Sequence, residues 1–159
     1  MPTTFPSSVA EAISDTVQDC RRRGWTVAET TNGVCLITDE QTSAIELTGA
    51  LAATVRRYLR ANNLSGPVIE IPGPQRREIH LVVGAAKAAM AISALRAVGA
   101  IVHTDGASIP LPPTRLSAGS ACWGISPSEA RRVSPVVAIA AAVRVAESGR
   151  KPHLSDLAS

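Results

Sequence analysis

Aromatic side chains are nearly absent: Phe5, Trp25, Tyr58 and Trp123 are the only ones in 159 residues. The core must therefore be assembled from Ala, Val, Leu and Ile, which depend on close helix and sheet contact rather than on large ring anchors. The same scarcity weakens any case for single-strand binding by base stacking. Lysine is scarce as well, since of sixteen basic residues only Lys87 and Lys151 are not arginine. Cys20, Cys35 and Cys122 are odd in number, widely separated and outside any CxxC pattern. That argues against a disulfide framework and a zinc site and fits a reducing compartment. The longest apolar run, Val136 to Val143, is far short of a membrane span, and "MPTTFPSSVAEAISD" has neither a basic nor an apolar targeting region. A cytoplasmic, unprocessed protein with no membrane partner is expected. No GxxxxGK[ST], GxGxxG, HExxH or GxSxG motif occurs, and no cofactor is expected.

What is present suits one domain over residues 1–149, followed by a polar tail, 150–159, expected to be disordered. The net charge of +3 is compatible with an anionic partner without demanding one. Ser8 and Glu11 form a capping box ahead of Val9, Ile13, Val17 and Cys20 at helical spacing, and Gly24 ends that helix. Asn32-Gly33 then predicts a hairpin that sets Trp25 and Val27 opposite Val34 and Leu36. "SAIEL" reads as a third strand, and Thr48 caps a helix whose Leu51, Val55, Tyr58 and Leu59 share a face.

"PVIEI" and "EIHLVV" read as an antiparallel pair joined by "PGPQRR", and Gly84 and Gly99 bracket a helix over residues 85–98. "AIVH", the Asp105-Gly106 turn, "SIPL" and "ACWGI" supply further strands. Ser126-Pro127-Ser128-Glu129 opens a short helix, and Ser134-Pro135 restarts one that runs to about Glu147. The fold class expected is α+β, a mostly antiparallel RRM-like or ferredoxin-like sheet with helices packed on it, with its ββαββ order placed at residues 67–111. Pro110, Pro112 and Pro113 cannot donate to a ladder, so Ile109 and Leu111 belong at a sheet edge or a strand end.

The segment "SIPLPPTRLSAGSACW" resembles the proline-proline-serine stretch, followed by glycine and tryptophan, of the N-terminal domain of bifunctional DNA primase/polymerases, in particular its short, divergent members in high-GC bacteria. Upstream, "SGPVIEIPGPQRREIHLVV" and "LITDEQTSAIEL" are similar to that family's histidine-bearing strand and to the lead into its first acidic motif, so the likeness covers residues 34–143. The resemblance implies a primase-polymerase-like sheet with carboxylates that hold divalent metals and a histidine that grips phosphate. Carried over, the first acid falls on Glu46 and the histidine on His80. The second acid falls on Thr48, and the late one near Ile101, beside His103. With at most one metal carboxylate left, the expectation is a catalytically degenerate, non-enzymatic relative that binds DNA or a nucleotide.

For that role the resemblance offers Arg76, Arg77, His80 and Arg115, with Glu46 as a remnant of the acidic motif. Each has a plainer reading. His80 alternates with Ile79 and Leu81 and reads equally as an ordinary half-exposed histidine, while Glu46 reads as a solvated strand residue. Arg21 to Arg23, Arg56, Arg57, Arg60, Arg131 and Arg132 lie on helix ends or exposed helix faces, where solubility explains them. Cys122 reads as a small packed residue. The alternative function is a protein-interaction or regulatory module on the same scaffold, binding a protein partner or itself through an edge strand or an Ala-rich helix face.

Overall fold

In a computed structural model, residues 7–150 are described, with side chains over residues 9–148. The Ser8 side chain, expected to cap α1, and most of the expected tail lie outside them. In chain order the elements are α1 (Ser7–Arg22), β1 (Thr26–Thr30), β2 (Gly33–Ile37), β3 (Thr42–Thr48), α2 (Gly49–Ala61), β4 (Val68–Ile71), β5 (Arg77–Val83), α3 (Ala89–Ala97), β6 (Ile101–His103) and β7 (Ser108–Leu111). They continue with β8 (Arg115–Leu116), β9 (Gly119–Ser120), β10 (Cys122–Ile125), α4 (Pro127–Ala130), β11 (Ser134–Pro135) and α5 (Val136–Arg150).

The main sheet runs in the order β10-β4-β5-β3-β6, each neighbour antiparallel to the next. Its inner part follows β3-α2-β4-β5-α3-β6, the βαββαβ order of a ferredoxin-like sheet, with the first and third strands side by side at the centre. The fold is α+β, and this unit occupies residues 42–103, starting one strand earlier than the sequence order implied. Asp105 (φ 58°) and Gly106 (φ 87°) do make the expected turn, but β6 and β7 then join different sheets. The helix expected over 85–98 is split at Ala88 into a 3₁₀ turn, Ala85–Lys87, and α3. Ser134-Pro135 is itself a short parallel strand, and the expected helix, α5, starts directly after it: β4 begins opposite His80, which leaves Val82 and Val83 of β5 free to pair with β11.

Alternation along the strands sends successive side chains to two cores. Ile45, Leu47 and Val82 face α2, α3 and α5, together with Val55, Leu59, Leu95 and Ile139. Ala44, Ile69, Ile71, Ile79 and Leu81 face the other way, against α1 and the small antiparallel sheet β1-β2-β7. β7 pairs only with β2, so it is an edge strand, as Pro110 within it requires, and it ends just before Pro112 and Pro113. Ile109 and Leu111 project into the second core with exposures of 1% and 0%. Pro112 accepts a hydrogen bond from the Thr16 hydroxyl at 3.1 Å, and the buried Thr114 hydroxyl donates to the Val34 carbonyl at 2.7 Å. Among the described residues no helix is long and apolar enough to cross a membrane.

Candidate functional site

The residues singled out in the sequence divide between the two faces of the sheet. Ile45 lies directly opposite His80 and Glu46 opposite Ile79, so Glu46 points toward the small sheet and His80 toward the helices. They share no cleft.

On the small-sheet side, Glu46 sits diagonally from Arg77 on β5 and from His103 on β6. Diagonal neighbours are within reach of long side chains. Arg77 donates to Glu46 Oε2 at 2.9 Å, and His103 Nε2 lies 2.9 Å from Oε1. A carboxylate only accepts, so His103 donates through Nε2. Glu46 is 4% exposed, not a solvated strand residue. The hydrogen bond from His103, followed by Arg77, holds its carboxyl below the ordinary carboxylate range against the opposing effect of burial. Stability tied to a depressed carboxyl is present above its unfolded value and lost as pH falls through its folded one. Glu46→Gln is accordingly expected to cost about 1–2 kcal/mol at neutral pH, tempered because Arg77 is half exposed, with the gap to wild type closing in acid. Urea melts of both proteins across pH check this; a gap independent of pH would remove the carboxylate's role.

The positions assigned by resemblance to the metal acids do meet here. Thr48 lies two residues beyond Glu46 on the same face, and Ile101 is the direct cross-strand partner of Glu46. Only one of the three is a carboxylate, and it is already engaged by a guanidinium and an imidazole. This donor set does not fit a pair of divalent metals, which would need several acidic oxygens. Among the described residues no three of His, Cys, Asp and Glu gather as a ligand set.

The helix side holds a second cluster that sequence reasoning missed. Glu70 and Glu78 are directly opposed across β4 and β5, an unfavourable like-charge pair. Arg56 descends from α2 to neutralise it, with its terminal nitrogen 3.0 Å from Glu70 Oε2 and Nε 3.6 Å from Glu78 Oε1. Arg76 stands 3.7 Å from Glu70 on the outside. His80 is 1% exposed, not half exposed, because the helix layer covers it. Its Nε2 is 3.7 Å from Glu78 Oε1, too far for a hydrogen bond, and both atoms are buried without a partner. Burial, aided by Arg56, pushes the His80 pKa down to about 3, so the ring is neutral. Burial likewise raises the Glu78 carboxyl, against the pull of Arg56 and Arg76.

The four residues expected to converge thus occupy separate places. Arg77 is tied to Glu46, Arg76 to Glu70, and His80 is sealed beneath the helices. Arg115 is exposed, its backbone N–H donating to the Asn32 carbonyl at 2.9 Å, on a β8–β9 hairpin whose Gly119 packs close to Pro72. Cys122 is exposed rather than packed.

Four cavities adjoin one another along α2. The first, about 300 Å³, lies at its N-terminus between Glu46, Thr48, Gly49, Gln75, Gly99 and Ile101. Gly49 and Gln75 also line the next, about 160 Å³, which reaches Arg76 and Glu78. Arg76 and Glu78 carry over into a third, about 360 Å³, walled by Arg56, Arg57 and Arg60. Arg60 is shared with a fourth, about 380 Å³, that ends at Arg131 and Arg132. No family model, curated protein or solved structure matches this chain.

Proposed function

We propose that this chain is a primase/polymerase-like scaffold that binds nucleic acid or a nucleotide through its phosphates and does not polymerise. The observation that carries the reading is the state of Glu46: one carboxylate, held by Arg77 and His103 at 2.9 Å each, beside a threonine and an isoleucine at the other two metal positions. The ferredoxin-like order of β3 to β6 and the PLPP strand are consistent with the resemblance. Arg76 and Arg77 are accessible cations at the turn between β4 and β5, with side-chain exposures of 62% and 46%. Guanidinium forks suit phosphate oxygens. Buried His80 takes no part in binding, which narrows the ligand-facing set to arginines.

The test is anisotropy of labelled single- and double-stranded DNA, and of a labelled nucleoside triphosphate, at about 50 mM and about 200 mM salt. Affinity that falls as salt rises supports the reading; none at the lower salt removes it, since phosphate contacts carry a salt dependence. Primer synthesis with Mg²⁺ or Mn²⁺ is expected to be undetectable. Synthesis that disappears in Glu46→Ala would restore a catalytic role to that carboxylate. A second reading, self-association, draws on Val137 and Val145 of α5, exposed at 56% and 51% and two helical turns apart on one face. Sedimentation as a strict monomer would count against it.

A further inference from the structure

We propose that the groove beside α2 is a track for one nucleic-acid strand, running from the Gln75–Arg76 turn past Arg57 and Arg60 to Arg131 and Arg132 on the far side. This rests on the nucleic-acid form of the reading above and names where the strand lies.

The arrangement follows from helical spacing. Val55 and Leu59 turn inward, which leaves Ala53, Arg56, Arg57 and Arg60 as one lateral stripe at intervals of three and four. The stripe is the wall of the third cavity, and Arg60 continues into the fourth. At its far end Arg131 has φ 66°, a left-handed turn just after α4 that sets Arg131 and Arg132 outward, both exposed. A helix of 13 residues is about 20 Å long at 1.5 Å per residue, enough to accompany several phosphates of one strand.

Charge decides between a solvated face and a phosphate track. Arg56 is consumed by Glu70 and Glu78, and Glu129 is tied into the cap of α4, where Ser126 N–H donates to its carboxylate at 3.0 Å. Among the described residues Arg57, Arg60, Arg131 and Arg132 have no acidic partner within 4.0 Å, so four guanidinium forks face the groove uncompensated. A merely solubilising face would not gather its cations along a continuous depression. The groove brings no aromatic stacking surface, so it reads the backbone and not the bases.

The experiment compares wild type with Arg57→Glu/Arg60→Glu and with Arg21→Glu/Arg22→Glu, which makes the same charge change on α1, beyond the opposite face of the sheet. Labelled oligothymidylate and a duplex are titrated at about 50 mM and about 200 mM salt. Four backbone contacts predict a single-strand slope of log affinity against log salt of about −3, and loss of the α2 pair is expected to lower affinity at least about tenfold and flatten the slope by about 1.4. The α1 pair should change affinity far less. Single strand should bind at least as tightly as duplex. Equal losses in the two variants, or binding confined to duplex, would overturn the track while leaving nucleic-acid binding intact. A mononucleotide that competes as well as the oligonucleotide would also overturn it. Absence of binding by wild type at the lower salt would remove the reading beneath it. Thermal melts of the two variants within a few degrees of wild type keep the comparison interpretable, since all four arginines are exposed.

Discussion

Acidification from about pH 7 to about pH 4 is expected to cost the fold about 3 kcal/mol through His80 alone, at about 1.4 kcal/mol per pH unit below the unfolded value. The ring is 1% exposed and titrates in the native state only at about 3, whereas an unfolded chain protonates it near the ordinary histidine value of 6.5. Between those values the unfolded state binds more protons than the native one, so stability is full above the unfolded value and drains as pH falls. Two buried carboxyls add pH dependences of opposite sign. The depressed Glu46 also loses stability in acid, while the raised Glu78 gains it, because its native carboxyl accepts a proton first. His80→Met isolates the histidine, replacing it with an unbranched apolar side chain that adapts to the same space. Urea melts at a series of pH values should show wild type falling away from this variant below about pH 6.5. Parallel curves would mean that His80 reaches solvent or finds an acceptor when protonated.

Gly33→Ala is expected to destabilise the protein by about 3–4 kcal/mol and lower its melting temperature by about 10 °C. Gly33 has φ 151°, and a Cβ there would come 2.6 Å from Thr114 Cα and 2.5 Å from its hydroxyl. Backbone cannot yield as a flexible side chain does. Moving Thr114 would break two buried hydrogen bonds, the hydroxyl's donation to the Val34 carbonyl at 2.7 Å and its acceptance from Val34 N–H at 2.9 Å. The PLPPT segment thereby has a structural task in this fold: Leu111, with Ile109 just before the segment, fills the second core, and Thr114 clasps the start of β2. Gly106→Ala is the control, since nothing lies within 4 Å of its Cβ and only the φ of 87° opposes it, at about 1 kcal/mol. Circular dichroism melts of both variants decide the matter; similar small losses would show that the Thr114 clasp gives way cheaply.

Local signals in the sequence carried most of the elements. Asn32-Gly33 marked its hairpin, the Ser126 capping box formed with both hydrogen bonds, and Pro110 of β7 marked an edge. The sheet assignment of neighbouring strands was not legible, because the Asp105-Gly106 turn looks the same whether the next strand pairs back or crosses to another sheet. The burial of His80 was not legible for a related reason: alternation gives the face of a strand and not what covers it. One further signal lies in the sequence itself. Pairing β4 with β5 across the residue 72–76 turn sets Glu70 against Glu78, and two opposed carboxylates require a cation. That demand points to Arg56, and from Arg56 the rest of the arginine stripe on α2 follows.

The helix-side core is closed by α5, whose Val136, Ile139 and Val143 meet Ile45, Leu47 and Val82 from far earlier in the chain. During synthesis those central strands therefore emerge long before the segment that shields them. The nascent chain carries a half-finished, aliphatic sheet until α5 itself leaves the ribosome, the kind of exposed intermediate that invites aggregation. Expression yield should consequently respond more sharply to changes in α5 than to equally buried changes in α1.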